Sequence, residues 1–499
     1  MFRFPYYQDA EGTVMSNAWA SGTLGLLSPY TYAYEEPPAG SLLLGVWTTL
    51  SGGYDAFGFS INSGRVVMLV AHLLCVAFLF GITRKMTGSN LAAVVATLVF
   101  AFSPLVTLLQ RRVLLDNLML VFLLGSVYLI TGERRTIAHY IISAFAFGLA
   151  VLTKGAAIFF LPALWFAIRA NADAYHRRFA TGLWAALTLF TIAFYPLYAQ
   201  MKQELFPQGW LFGGDFPHVS LVERIADRGL DSGRFLNVGA GFPESFDLWT
   251  NIDNEGADPI LVYGGLVALL FVALMALDNR RLRPVVILAL GFGVYMLFGG
   301  QVFNSHILLL VPALAIAVGV VVGALAKLVS GAIPNVVLRF GVATVVVAVL
   351  LYPFWIFYSN RVEVYTLDQV SGQIEAVEWI AQNVPADAVV VTDNYAFLEL
   401  RQSHPNTHHY WKVDTDPDIK FTTLNDDWCS IDYLISTPQV YADITTYNMD
   451  LMLRTFNNSE LLITYPNNGW PVEVRQVNKQ FCNPLATADA DTTSPVSPQ

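Results

Sequence analysis

Charge is scarce in this sequence. Of its 499 residues only 13% are charged and 55% are hydrophobic, whereas a soluble globular chain carries roughly a quarter charged residues. With a mean hydropathy of +0.49, most of the chain has lipid as its solvent, and a wholly water-soluble enzyme is excluded. Positive charge is scarcer than negative: 28 Lys and Arg stand against 38 Asp and Glu, for a net charge of −10. Nucleic acid is thereby excluded as a partner, because a phosphate-binding surface needs clustered cations. Three cysteines leave no zinc-type spacing. Cys75 sits in an apolar run as a small buried hydrophobe. Cys429 and Cys482 fall in the polar C-terminal portion and could pair if that portion is extracytoplasmic. The opening MFRFPYYQDAEG has no apolar core and so is no signal peptide, and internal repeats are lacking.

What is abundant is apolar sequence in blocks. Stretches of about 17 to 21 residues, long enough to cross roughly 30 Å of hydrocarbon at ~1.5 Å per helical residue, recur from Gly64 onward. Spans are expected at 64–83, 90–109, 117–132, 137–153, 156–170, 179–197, 260–277, 284–299, 306–326 and 338–358. Alternate loops collect the cations: Arg84 and Lys85, Arg134 and Arg135, His176 to Arg178, Arg280 to Arg283, and Lys327 with Arg339. Cytoplasmic loops are enriched in Lys and Arg, so the opposite, acidic face is the outer one. About ten spans would then leave both termini outside. A first helix upstream would restore an inside start, and Phe2 to Tyr6 reads as the last turn of such a helix.

After Tyr358 the composition becomes that of a soluble domain. IEAVEWIAQN reads as helix, Pro385 to Asp387 as a turn, VVVT as a buried strand, and DYLIS and ELLITY as later strands. The expected organisation is an outer N-terminal loop (1–63) and a membrane domain (64–358) that includes an outer loop at 198–259. An extracytoplasmic α/β domain (359–485) and a disordered tail (486–499) follow. The fold class is a polytopic α-helical membrane protein with a small C-terminal extracytoplasmic α/β domain, placed in the cell membrane.

Ionisable groups at membrane depth or at a helix mouth are costly and point to function. The outer face carries Asp9 and Glu11 in YYQDAEGT, Glu35 and Glu36 in YEEPPAG, and Arg112 and Asp116 in RRVLLDN. Pro37 and Pro38 would fix the backbone that aims the two glutamates. Arg112 and Asp116, four apart, are expected on one helical face. Lys154, in VLTKGAA, ends a span where it could reach a lipid phosphate, and His306, in FNSHILLLVP, opens another. Each has an ordinary alternative. Asp9 and Glu11 fit a solvated loop, Arg112 and Asp116 an ion pair that anchors a helix end, Lys154 simple snorkelling, and His306 interfacial filler. Together, on one side of one membrane, they describe a cleft with carboxylates and cations.

These motifs, in this order, resemble the GT-C superfamily, in the branch that contains the protein O-mannosyltransferases and the lipid A aminoarabinose transferases. QDAEGT, YEEPPAG, RRVLLD, LTKG and HILLLVP carry the likeness, with EWIAQNVPADAVVVTDN and WKVDTDPD in the C-terminal domain. The resemblance implies an inverting membrane glycosyltransferase that takes a sugar from a polyprenyl-phosphate donor on the extracytoplasmic face. The acceptor would be a protein, a lipid or a glycan. Asp9 or Glu11 would be the general base, Asp116 the second acidic site, and Arg112 and Lys154 the cations at the donor phosphate. Glu36 would support the acceptor or its loop. Glu35 would match a metal- or acceptor-associated carboxylate, with His306 as its partner, so a divalent metal ion is the cofactor in view. One departure stands out: Ala10 precedes Glu11 where the family has an Asp-Glu pair. The rival readings are a transporter or flippase of lipid-linked sugars, which would place broken helices near the bilayer midplane, and a GT-C homologue whose catalysis is impaired at Ala10.

Overall fold

In the computed structural model of the chain, residues 3–25, 27, 34, 36–132, 135–172, 175–210, 213, 220–231, 242–298, 302–331 and 333–482 are described. The chain divides into two compact units. One comprises Asn17–Gly53 and Ser63–Val364; the other gathers Met1–Ser16, Tyr54–Asn62 and Tyr365–Gln499.

The first unit is helical. All ten expected stretches fall on helices, among them α3 (Ser60–Thr87), α4 (Asn90–Phe102), α5 (Pro104–Arg111), α6 (Leu115–Ile130) and α7 (Ile137–Thr153), after α1 (Asp9–Thr23) and α2 (Ala39–Leu50). Among the described residues five are long and apolar enough to cross a membrane: Ser60–Thr87, Arg177–Met201, Pro259–Asp278, Asn304–Gly331 and Val336–Ser359. A sixth is the pair α4 and α5, bent by 59°. The bend lies at Ser103, whose hydroxyl caps α5 at Val106 N while Pro104 occupies its first turn; proline has no N–H with which to continue the α4 ladder. Length alone therefore licenses five or six spans. Helices α6 and α7, with 16 and 17 residues, reach only about 25 Å.

Burial sorts these helices. In Asn304–Gly331, 83% of the apolar window is buried, and in Val336–Ser359 none of it is. The latter exposes Val337, Phe340, Val349 and Trp355. A helix that is apolar all round and uncovered by protein is stable only against lipid, so this unit is a membrane domain. Asp258 ties three distant segments together, capping Leu261 N at 2.9 Å while accepting from Ser103 Oγ at 2.6 Å and from Tyr358 at 2.9 Å.

The second unit is α/β. Its five-stranded sheet has the order β2-β1-β3-β5-β4, with β1 (Val390–Thr392), β2 (Thr407–His409), β3 (Tyr433–Ser436), β4 (Ser459–Tyr465) and β5 (Val472–Val477). Strands β2, β1 and β3 are parallel, and β5 and β4 are antiparallel. The expected helix appears as Ser371–Asn383. The three residues of β1 are buried, as suits a strand covered on both faces.

Two boundaries differ from expectation. Residues 1–63 are not a loop, since they contain α1, α2 and the start of α3, and the loop 198–259 holds the helices Leu221–Asp231 and Phe242–Thr250. Residues 1–16 and 54–62 belong with the α/β unit. The reason is side-chain pairing of otherwise orphaned backbone. Gln373 brackets Tyr7 through bonds of 2.7 and 2.9 Å to its N–H and carbonyl, and Glu399 accepts from Ser60 N at 2.7 Å. The proposed tail 486–499 lies outside the described residues.

Cys429 and Cys482 form a disulfide, with Cα atoms 5.7 Å apart, and Cys75 is buried and free. Alkylation of the unfolded, unreduced protein should label Cys75 alone. A Cys429→Ser, Cys482→Ser double variant should lose roughly 2–4 kcal/mol of α/β-unit stability, read as a lower thermal midpoint. Labelling of three thiols would overturn the pairing.

Candidate active site

In the membrane unit the site is built at helix ends. Helix α5 stops at Arg111, Arg112 is extended at φ −79°, ψ 149°, and α6 restarts at Leu115. The expected common face of Arg112 and Asp116 is therefore absent, because the chain is not helical between them. Asn117 Nδ2 holds this break by donating to Leu109 O at 3.1 Å and Arg112 O at 2.9 Å. Asp116 instead sits in the first turn of α6, where the positive end of the helix favours a carboxylate. Its ion partner is Lys154, the residue that ends α7: Nζ lies 2.7 Å from Asp116 Oδ2. Glu36 Oε1 is 4.0 Å from the same ammonium.

What brings Glu36 there is a close approach of α2. A Cβ on Gly40 would stand 2.5 Å from Leu115 Cδ2 and 3.0 Å from Thr153 Cγ2, so glycine leaves room for the start of α2 to press against the residues next to Asp116 and Lys154 without displacing Leu115. Asp116 is 3% exposed, and its Oδ1 is buried with no hydrogen-bond partner among the described residues. A buried, half-satisfied carboxylate is uncommon in folded proteins. Arg112 is also buried.

His306 lies within electrostatic reach of both Lys154 and Asp116. Its ring is engaged by the Tyr295 hydroxyl at 3.0 Å and by Phe303 N at 3.1 Å. Glu35 lies outside the described residues. Among the described residues no three His, Cys, Asp or Glu side chains converge to hold a metal ion, and an imidazole already taken by a tyrosine and an amide is a poor ligand. Of the expected metal pair, then, His306 is described and Glu35 is not.

Asp9 and Glu11 belong to the α/β unit, and they differ. Glu11 is fully buried and its Oε2 accepts from Gln8 N at 3.1 Å, which makes it a cap of its own helix. Asp9, 26% exposed, accepts at Oδ1 from His409 Nε2 at 2.7 Å and from Asn394 N at 3.3 Å. Asn394 Nδ2 adds a bond to Thr13 at 2.7 Å. Gly12 makes this possible, because any Cβ there would fall inside the backbone of Asn394 and Tyr395. Burial works to raise the Asp9 pKa, but the His409 charge and hydrogen bond, with further bonds from Asp393 and Asn394, outweigh it and hold the carboxyl below its usual range. Burial, then the Asp9 charge, push Asp393 well above that range.

His409 and Asp393 were not among the expected site residues. The available clue was positional: Asp393 follows β1 and His409 ends β2, two parallel neighbours with Thr392 opposite His409, and open α/β sheets bind ligands at the carboxyl ends of their strands.

Two outcomes follow from this geometry. Gly12→Ala should lose roughly 1–3 kcal/mol, since the obstacle is backbone; a thermal midpoint equal to the parent's would count against the close approach. Asp393 keeps its proton in the folded state after the unfolded chain has lost it at about pH 4. Stability should therefore fall as pH rises from there toward the folded-state value. Asp393→Asn has no such loss, so its midpoint relative to the parent should climb as pH rises above about 4; a constant difference would contradict the raised pKa.

Comparison with known proteins agrees with this architecture. Residues 35–199 match the family model described as dolichyl-phosphate-mannose-protein mannosyltransferase; that stretch contains Glu36, Arg112, Asp116 and Lys154. No curated protein sequence matches the chain. Among solved structures, ArnT from Cupriavidus metallidurans bound to undecaprenyl phosphate is similar, with 14% identity, 94% of each chain covered and a TM-score of 0.59. Archaeoglobus fulgidus oligosaccharyltransferase AglB, in complex with an inhibitory peptide and a dolichol-phosphate, aligns with 15% identity over 97% of this chain and 71% of its own, with a TM-score of 0.56. The likeness read from the motifs thus holds at the level of fold: the chain is a membrane protein with the fold shared by ArnT and AglB, both GT-C glycosyltransferases, and its residues 35–199, where the buried lysine and aspartate lie, match the mannosyltransferase family model.

Proposed function

We propose that the protein transfers a sugar from a polyprenyl-phosphate donor to an acceptor hydroxyl on the extracytoplasmic face, with inversion at the anomeric carbon. The observation that supports this most is the Lys154–Asp116 pair, with Glu36 beside it, at the helix ends of the membrane unit. An ammonium is a compact point charge with three rotatable donors, and Lys154, oriented by Asp116, would be turned to a phosphate oxygen of the donor. Arg112 would add a second cation. The acceptor O–H bond breaks as its oxygen attacks the anomeric carbon, and the C–O bond to phosphate breaks with its electron pair left on the phosphate. Stabilisation of that charge is the cations' task.

The acceptor proton needs a carboxylate base, worth about a hundredfold or more. Asp9 suits that role better than Glu11, whose carboxylate is engaged in capping its own helix. The disulfide in the α/β unit fits an oxidising, extracytoplasmic location for that unit, and a cell membrane that faces such a space.

The test is sugar release from a panel of polyprenyl-phosphate sugars by the purified protein in lipid bilayers, with Asp116→Asn and Lys154→Met beside it. The parent should release at least one sugar, and each variant should lower kcat on the order of 100-fold or more. Failure of folded parent protein to release any sugar would overturn the proposal.

A further inference from the structure

Asp9 is held from outside its own helix, at one end of the parallel half of the sheet. His409, the last residue of β2, is 9% exposed and its Nε2 donates to Asp9 Oδ1 at 2.7 Å. Asp393, at the end of β1, is 2% exposed and caps the following helix at Tyr395 N. We infer that His409 is a positioning residue for Asp9: its N–H fixes one carboxylate oxygen and so sets the orientation in which Asp9 meets an acceptor hydroxyl. This rests on the reading of Asp9 as the base.

Three observations support the inference. The contact joins residues 400 apart in sequence, and Gly12 presses α1 against the Asn394–Tyr395 backbone with no room for a methyl group. The fold thus spends a close backbone approach on bringing Asp9 to this place. The cluster also lies at the carboxyl ends of parallel strands, where such sheets present reactive groups. Finally, the charges around Asp9 are arranged to keep it ionised. His409 faces it from β2, and Asn394 and Asp393 from the segment after β1. Tyr410 stands behind with its hydroxyl on Asp443 Oδ2 at 2.6 Å. With Asp393 holding its proton, the repulsion between two neighbouring carboxylates is avoided, and Asp9 is the one that carries the charge.

A merely structural His409 and a positioning one differ in the pH profile. The imidazole favours ionised Asp9, so without it the acid limb of kcat should move to higher pH. The experiment follows mannose release from undecaprenyl-phosphate mannose, with the other donors of the panel alongside, across pH 4 to 8 by the full chain in lipid. Parent, Asp9→Asn and His409→Gln are compared; Gln keeps an N–H donor without the charge. His409→Asn stands in if the Gln variant does not fold by thermal midpoint. Asp9→Asn should lose about a hundredfold or more. His409→Gln should keep the donor KM, lose roughly tenfold in kcat and shift the acid limb upward by half a pH unit or more, about the scale of one charge–charge interaction. An unmoved acid limb in His409→Gln, with Asp9→Asn inactive, would overturn the positioning role and leave the base assignment standing. Full activity in Asp9→Asn would remove Asp9 as the base, and the role of His409 with it.

Discussion

The membrane unit turns on one buried ion pair, Lys154 with Asp116. Charge is costly in an apolar bundle unless it is matched, and removal of one partner from a buried pair costs roughly 3–5 kcal/mol. The pair therefore locks the end of α7 to the start of α6, with Lys154 just past the last turn of one helix and Asp116 in the first turn of the other. Around it the bundle makes room by local means: an extended Arg112, held by Asn117, and a glycine at position 40 that lets α2 approach.

The α/β unit solves a different problem, that of keeping one of two adjacent carboxylates charged. Asp9 and Asp393 are neighbours, and His409 breaks the tie in favour of Asp9. The N-terminal residues reach this unit because Gln373 and Glu399 satisfy their backbone groups. A segment that looked like a loop thus becomes part of a folded sheet domain.

Several elements were legible from residue patterns. Each apolar block lies on a helix, since hydropathy over a span needs no knowledge of neighbours. VVVT, DYLIS and ELLITY became strands of one sheet, because runs of β-branched residues bounded by turn residues have few other uses. Lys154, Asp116 and Glu36 stood out as ionisable groups at helix mouths, and they do converge. The pairing of Arg112 with Asp116 misled, because spacing of four implies a shared face only where the helix is unbroken, and α5 ends just before Arg112 while α6 begins only at Leu115. The Lys202–Glu204 pair, fully buried at 2.9 Å with the Tyr34 hydroxyl on Glu204, stayed hidden within a stretch read as loop.

The sequence by itself determined the solvent of this protein, the blocks that lie in lipid, the presence of a small α/β domain and the residue types from which a phosphate site could be made. These are properties of composition and period, which each segment carries alone. Only the tertiary structure decided which charges meet. His409 finds Asp9 across 400 residues, Lys154 prefers Asp116 to any nearer neighbour in sequence, and the N-terminal segment joins the C-terminal sheet. Such contacts depend on close approaches at Gly12 and Gly40, and steric room between distant segments leaves no periodic trace in the chain.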